Sequence, residues 1–227
     1  MNIKIIGLGG IGSALSEFLG RFLNYSENFN GVLTLIDGKE YREKNKHRQL
    51  FSQIGGNKAL SKTIELSSKF KKLKLKEEQT YVTKSNISSF IKNGDIVFVC
   101  VDNHVTRKLV SDFGKELDDI IIISGGNEWT DGNVQIFSKK GGIQTHPSIT
   151  DYHPEIESPE DSSPDKMSCE ELEKSAPQLF FANITVAVFM SWVFYNIYTT
   201  GNVPKQSEIY FDITLLATNT VERSLLS

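Results

Sequence analysis

The sequence predicts an α/β fold with a doubly wound, mainly parallel sheet, and three observations carry that prediction. Short apolar runs of strand length recur along the chain, stretches with helical spacing separate them, and the first run passes directly into a glycine-rich turn that opens a helix. Strands separated by helices pair in parallel, because the crossover returns the chain in its original direction. At 227 residues the chain is long enough for one α/β core and short for two, so a single domain spanning 1–227 is expected.

Each element follows in order. "IKIIGLGGIGSALSEFLGRFL" reads as strand, glycine turn and amphipathic helix, and "GVLTLID" is a second short strand. After a charged loop, "NKALSKTIELSSKF" has helical spacing and "LKLKEEQTYVT" alternates as a strand does. "DIVFVCVDN" and "DIIIISGGN" are two more apolar strands, completing a core over 1–142. From 143 to 168 the segment containing "HPSITDYHPEIESPEDSSPDKM" is rich in Pro, Ser and acids without a stable period, which predicts a long loop. The last part, 169–227, holds an apolar helix and a tail, "EIYFDITLLATNTVERSLLS", that reads as a strand or two.

Composition bounds the function. A formal charge of −3 gives no general attraction to phosphate backbones, which argues against nucleic acid as a partner. The run "KFKKLKLKEE" is followed at once by acids and reads as a solvated face. Cys100 and Cys169 are too few for a disulfide framework or a four-thiolate zinc site. The chain opens without a signal-peptide pattern, so a cytoplasmic setting is expected. "LFFANITVAVFMSWVFYNIY", 179–198, is long enough to cross a membrane. Asn183, Thr185, Ser191 and Asn196 interrupt it and no second span accompanies it, so a core or dimer-interface helix is expected and no membrane.

The glycines introduce the chemistry. Gly7, Gly9, Gly10 and Gly12 lie between a strand and a helix, where missing side chains tighten the turn and bring N–H groups to a phosphate. A glycine turn with no ligand is the bland reading. Asp37 ends the second strand, where a carboxylate accepts ribose hydroxyls. An NAD(P)-dependent oxidoreductase would share all of this. Asn45, Arg48 and Lys58 go further, because one amide and two cations around the same loop suit a triphosphate and phosphoryl chemistry. Asp102 leaves an apolar strand at the sheet edge where ligands bind, and either holds magnesium or caps the next helix. His146 and His153 match no metal spacing and are expected to be solvent-exposed loop residues. Cys100, inside an apolar strand, is expected to be inert.

In its motifs the chain resembles the ThiF and MoeB type of adenylating enzyme, the superfamily that includes the ubiquitin-activating enzymes. The resemblance runs through "IIGLGGIGSAL", "LTLID" with "NKHRQ", "IGGNKA", "VCVDNHVTR" and "SGGNEWTDGNVQIF", in the family's order over about the first 140 residues. It implies a Rossmann-like sheet with a crossover loop, MgATP as cofactor, and adenylation of the C-terminal carboxylate of a small ubiquitin-like or sulfur-carrier protein. The glycines, Asp37 and Asn103 would bind nucleotide; Asn45, Arg48 and Lys58 would hold phosphates; Asp102 would hold magnesium. A homodimer is also implied. Cys169, after the crossover loop and before the apolar helix, would be the thiol that takes the acyl group, with an inert helix-start cysteine as the alternative. The family's usual helix and arginine before the first strand have no counterpart ahead of Ile3, and no CxxC pair is present, so zinc is predicted absent. A non-catalytic partner subunit is thinkable on the missing arginine, but Arg48, Lys58 and Asp102 argue against it. An adenylating enzyme acting on a tRNA base or a small carboxylate stays open.

Overall fold

The structure is a computed structural model that describes residues 1–162 and 179–226. Its sheet runs in the order β3-β2-β1-β4-β5-β6-β8-β9, with β7 paired to β6. The first five strands, β1 (Ile3–Ile6), β2 (Leu33–Ile36), β3 (Leu75–Glu78), β4 (Asp95–Val99) and β5 (Ile120–Asn127), are parallel. An antiparallel extension adds β6 (Asp131–Lys140), β7 (Ile143–His146), β8 (Glu208–Asp212) and β9 (Ala217–Val221). The doubly wound, mainly parallel sheet read from the sequence is thus observed. β3 is shorter than the alternating stretch suggested.

The inner parallel strands β1, β2, β4 and β5 are mostly apolar because both faces are covered, whereas β3, LKEE, lies at the sheet edge and is partly exposed. Ile5, Leu35, Phe98 and Ile123 face one layer, packed with Leu15 and Leu19 of α1 (Gly10–Tyr25), Leu66 of α2 (Lys58–Lys69) and Met190 and Phe194 of a long C-terminal helix. Ile6, Ile36, Val97 and Ile122 face the other, with Ile87 of the short α3 (Ile87–Phe90) and Val110 of α4 (His104–Glu116). The strand order reverses between β1 and β4, which run parallel, and at such a point in an open α/β sheet a crevice forms outside the strand ends. Gly7 makes the turn there with φ +88°, and a β-carbon on it would lie 2.9 Å from Cys100 O.

The segment expected to be a loop carries more order than its composition suggests. Ile143–His146 is strand β7, and Pro154–Glu157 forms a single turn, α5. His146 and His153 were expected in solvent and are instead 7% and 8% exposed. His146 bonds through Nε2 to Pro204 O at 2.7 Å and through Nδ1 to Ser138 Oγ at 2.7 Å. His153 reaches Glu155 at 3.0 Å and Glu208 of β8 at 2.9 Å; Arg223 Nε and Tyr210 Oη then donate to Glu208. The long C-terminal helix, α6 (Phe180–Thr200), is apolar enough to span a membrane by length alone, yet packs on α1, β5 and β6.

The His153 clasp gives stability a definite pH dependence. Burial acts to lower the imidazole pKa, and the bonds to Glu208 and Glu155 outweigh it, so the value stands above the ordinary 6.5. Burial would raise Glu208, and His153, Arg223 and Tyr210 hold it below 4.5 instead. The raised histidine contributes fully below about 6.5 and loses its contribution as pH rises through the folded value. The depressed glutamate contributes above about 4.5 and loses it as pH falls. The stability gap between wild type and His153→Gln is therefore expected to be widest near pH 5–6 and to shrink toward pH 9 in thermal melts. A gap that widens with rising pH would contradict the clasp.

Candidate active site

The carboxyl ends of β1, β2 and β4 open onto one cavity of about 960 Å³, the upper part of the range for ligand pockets. Asp37 ends β2 nearly buried. Its Oδ2 accepts the Leu8 N–H and its Oδ1 the Lys39 N–H, each at 2.7 Å. A carboxylate oxygen has two acceptor positions, so Asp37 fixes the glycine turn to the β2 loop and still offers acceptors to a sugar.

Asn57 links that acid to α2. Its Oδ1 caps the helix by accepting from Ala59 and Leu60 N–H at 2.8 and 3.2 Å, while its Nδ2 donates to Asp37 O at 2.8 Å. Lys58 follows as the first helical residue, 4% exposed. Its Nζ donates to Gln49 Oε1 at 3.0 Å and stands 5.2 Å from the ring centre of Tyr41. Tyr41 is itself fixed, donating to Leu8 O at 3.2 Å and stacking on Phe51. Burial holds the Lys58 ammonium below its ordinary pKa, with Asp37 opposing; burial likewise lowers Arg48, with Asp102 opposing. Two desolvated cations facing one cavity favour a polyanion. Asn45, expected on phosphate, uses its Oδ1 to accept the Arg42 N–H at 2.9 Å, closing a 3₁₀ turn over Glu43–Asn45 at the cavity wall.

Asp102 is not the helix cap. That part falls to Asn103, whose Oδ1 accepts the Thr106 N–H at 2.9 Å, and to Asp161, which accepts from His104 and Val105 N–H at 2.6 and 3.0 Å. The Asp102 carboxylate, 47% exposed, is left facing the cavity 3.6 Å from Lys39 Nζ. Burial alone would raise its pKa; Lys39 and its own backbone N–H, with Lys58 and Arg48, bring it below the ordinary value. Behind it Arg107, fully surrounded, donates to Ser124 Oγ, Val101 O and Gly125 O at 2.6–2.7 Å and so ties the β4 loop to β5.

The structure therefore gathers Gly7, Gly9, Gly10, Asp37, Asn45, Arg48, Lys58, Asp102 and Asn103 around one cavity. Gly12 lies one turn into α1, where a β-carbon would strike Gly7 O. Cys100 is buried with its thiol pushed up to about 12, in keeping with inertness. Cys169 lies outside the described residues. Sequence reading missed Lys39, Asn57, Arg107 and Asp161 and left Gln49 without a role. Only Asn57 had a local signal, a cap residue directly before a helical run.

The profile of the ThiF family matches residues 1–200. The chain belongs to the ThiF family. Among curated relatives, this ThiF-family chain is 26% identical over 204 residues to the adenylyltransferase and sulfurtransferase UBA4 of Vanderwaltozyma polyspora, covering 88% of the chain and 43% of that protein. It is 28% identical over 144 residues to the adenylyltransferase and sulfurtransferase MOCS3 of Drosophila ananassae, covering 62% of the chain and 30% of that protein. The chain thus spans less than half the length of either relative. Among solved structures it is similar to E. coli MccB crystallised with MccA, with a TM-score of 0.72, 17% identity, and coverage of 98% of the chain and 65% of MccB. PaaA gives a TM-score of 0.72 at 14% identity, covering 97% and 63%. Likeness at those identities concerns the fold, and it is the α/β sheet described above.

Proposed function

We propose that this chain binds MgATP across the carboxyl edge of its sheet and adenylates the C-terminal carboxylate of a small ubiquitin-like or sulfur-carrier protein. The observation that carries this reading is the convergence of Arg48, Lys58 and Asp102 on the cavity that Asp37 closes. A dinucleotide site would account for Asp37 and the glycines but has no need of two buried cations. Relatives named adenylyltransferase, and E. coli MccB crystallised with ATP, support the nucleotide assignment.

In this reading the substrate carboxylate oxygen attacks the α-phosphorus, the bond to the bridging oxygen breaks, and pyrophosphate leaves with that electron pair, giving an acyl-adenylate. Asp37 orients the ribose. Lys58, aimed by Gln49 and Tyr41, and Arg48 neutralise the departing phosphates, so the chain acts by positioning and charge and needs no nucleophile of its own for this step. One cavity-facing carboxylate beside substrate phosphates suits magnesium, and Asp102 would hold it. When bound, the metal supplies neutralisation of phosphate charge. The test is calorimetry with MgATP and NAD⁺: MgATP is expected to bind and NAD⁺ to bind far more weakly, and the reverse order would overturn the reading.

Two extensions belong to the same proposal. The outer face of α6 exposes Phe181, Trp192 and Tyr195 by 65%, 63% and 56%, an apolar stripe that a second copy would cover in a homodimer. Sedimentation at micromolar concentration is expected to give twice the chain mass; a monomer would refute it. Where the acyl group moves on to a thiol, the Cys169 thiolate attacks the acyl carbon, the bond to the adenylate oxygen breaks, and AMP leaves, giving a thioester. That step predicts a thiol-sensitive adduct by mass spectrometry, absent from Cys169→Ala, and an adduct unchanged in that variant would exclude the residue.

A further inference from the structure

One wall of the cavity comes from neither the glycine turn nor the charged loop. Asn183, in the first turn of α6, is 0% exposed and lines the cavity. Neither its Oδ1 nor its Nδ2 has a hydrogen-bond partner among the described residues. Buried side-chain amides are almost always paired, so one held with both atoms unsatisfied calls for an explanation. Its place supplies one. A β-carbon on Gly10 would overlap the Asn183 amide carbon, nitrogen and oxygen, so the amide occupies the space that glycine leaves at the first turn of α1.

α1 is 16 residues long. Its first N–H to bond back along the chain is that of Ser13, to Gly9 O at 3.1 Å, so earlier N–H groups at this helix start have no intrahelical acceptor. Such a terminus favours negative charge. The Asn183 Nδ2, with two N–H donors, reaches the same point from a different element. The ribose acid Asp37 is bonded to Leu8 N at 2.7 Å, within the same glycine turn. In the adenylation reading the phosphoryl group next to the ribose, the α-phosphoryl, would lie nearest the α1 terminus, while Arg48 and Lys58 approach from the β2 loop and from α2.

We propose that the Asn183 amide turns into the cavity when nucleotide binds and is a ligand of the α-phosphoryl group, donating from Nδ2 to a non-bridging oxygen. This inference rests on the adenylation reading. It makes Asn183 a substrate-contacting residue that the fold retains despite its unpaired amide.

The test is calorimetry of adenosine, AMP and MgATP with wild type, Asn183→Ala and Asn183→Leu. AMP and MgATP affinity are expected to fall about ten- to a hundred-fold, the usual loss for a hydrogen bond to a charged group. Adenosine affinity is expected to hold within about twofold. The ligand-free Tm of Asn183→Leu is expected to equal or exceed that of wild type, because two unsatisfied polar atoms leave at similar volume. If the larger changes prevent folding, Asn183→Ser carries the same three-ligand comparison. An equal loss for all three ligands with a lowered Tm would show a structural role and overturn the inference. Unchanged AMP affinity would overturn it as well. Those outcomes are distinct from failure of the adenylation reading, in which wild type itself would bind AMP and MgATP no better than adenosine.

Discussion

Lys58→Ala is expected to slow ATP–pyrophosphate exchange by about 10²- to 10³-fold, the scale seen when one preorganised donor to a developing negative charge is removed. The size follows from burial. Lys58 is 4% exposed, and Gln49 and Tyr41 hold its ammonium in place before substrate arrives, so little reorganisation is needed as the leaving pyrophosphate gains charge. Stability is expected to change little. The variant leaves Gln49 Oε1 without this donor, which costs about 1–3 kcal/mol if no water replaces it, while relief from burying a cation offsets that loss. Lys58→Arg is not expected to restore the rate, since a planar fork does not fit the space of a point charge packed on an aromatic ring. The measurement is kcat and KM of exchange together with the Tm. A wild-type kcat with a raised KM would mean that Lys58 only binds ATP.

Asp102→Ala is expected to abolish exchange while leaving the fold intact. The carboxylate is 47% exposed and its partner Lys39 is 3.6 Å away, an ion pair of the exposed kind worth about 0–1 kcal/mol. The α4 terminus beside it does not depend on Asp102, because Asn103 and Asp161 cap it. Loss of activity without loss of Tm therefore isolates the metal-holding role. Exchange in Asp102→Ala at the wild-type rate would remove Asp102 from the site.

The central sheet was legible because the physics that builds it is local. β1, β2, β4 and β5 are apolar on both faces, their helices carry amphipathic spacing, and the acids at 37 and 102 stand where strand runs end. Residues ordered by distant partners leave no such mark. His153 is buried because Glu208, 55 positions later, bonds it, and nothing around "DYHPEIE" announces that acid. Asp161 caps a helix that begins 57 residues earlier. Both lie in a segment whose Pro, Ser and acids read as a loop; its strand is held by main-chain pairing with β6, and its single turn by side-chain bonds to α4 and β8. Asn183 was visible only as a polar interruption of an apolar helix. Its meaning depends on the glycine packed beneath it, 173 positions away in the chain.

The most direct measurement is exchange of labelled pyrophosphate into ATP in the presence of small carrier proteins ending in Gly-Gly and of short peptides, each with a free or an amidated C-terminus. The account predicts exchange with a free carboxylate, its loss on amidation, and its loss in Lys58→Ala and Asp102→Ala. Exchange that survives amidation, or that both variants sustain at the wild-type rate, would contradict it.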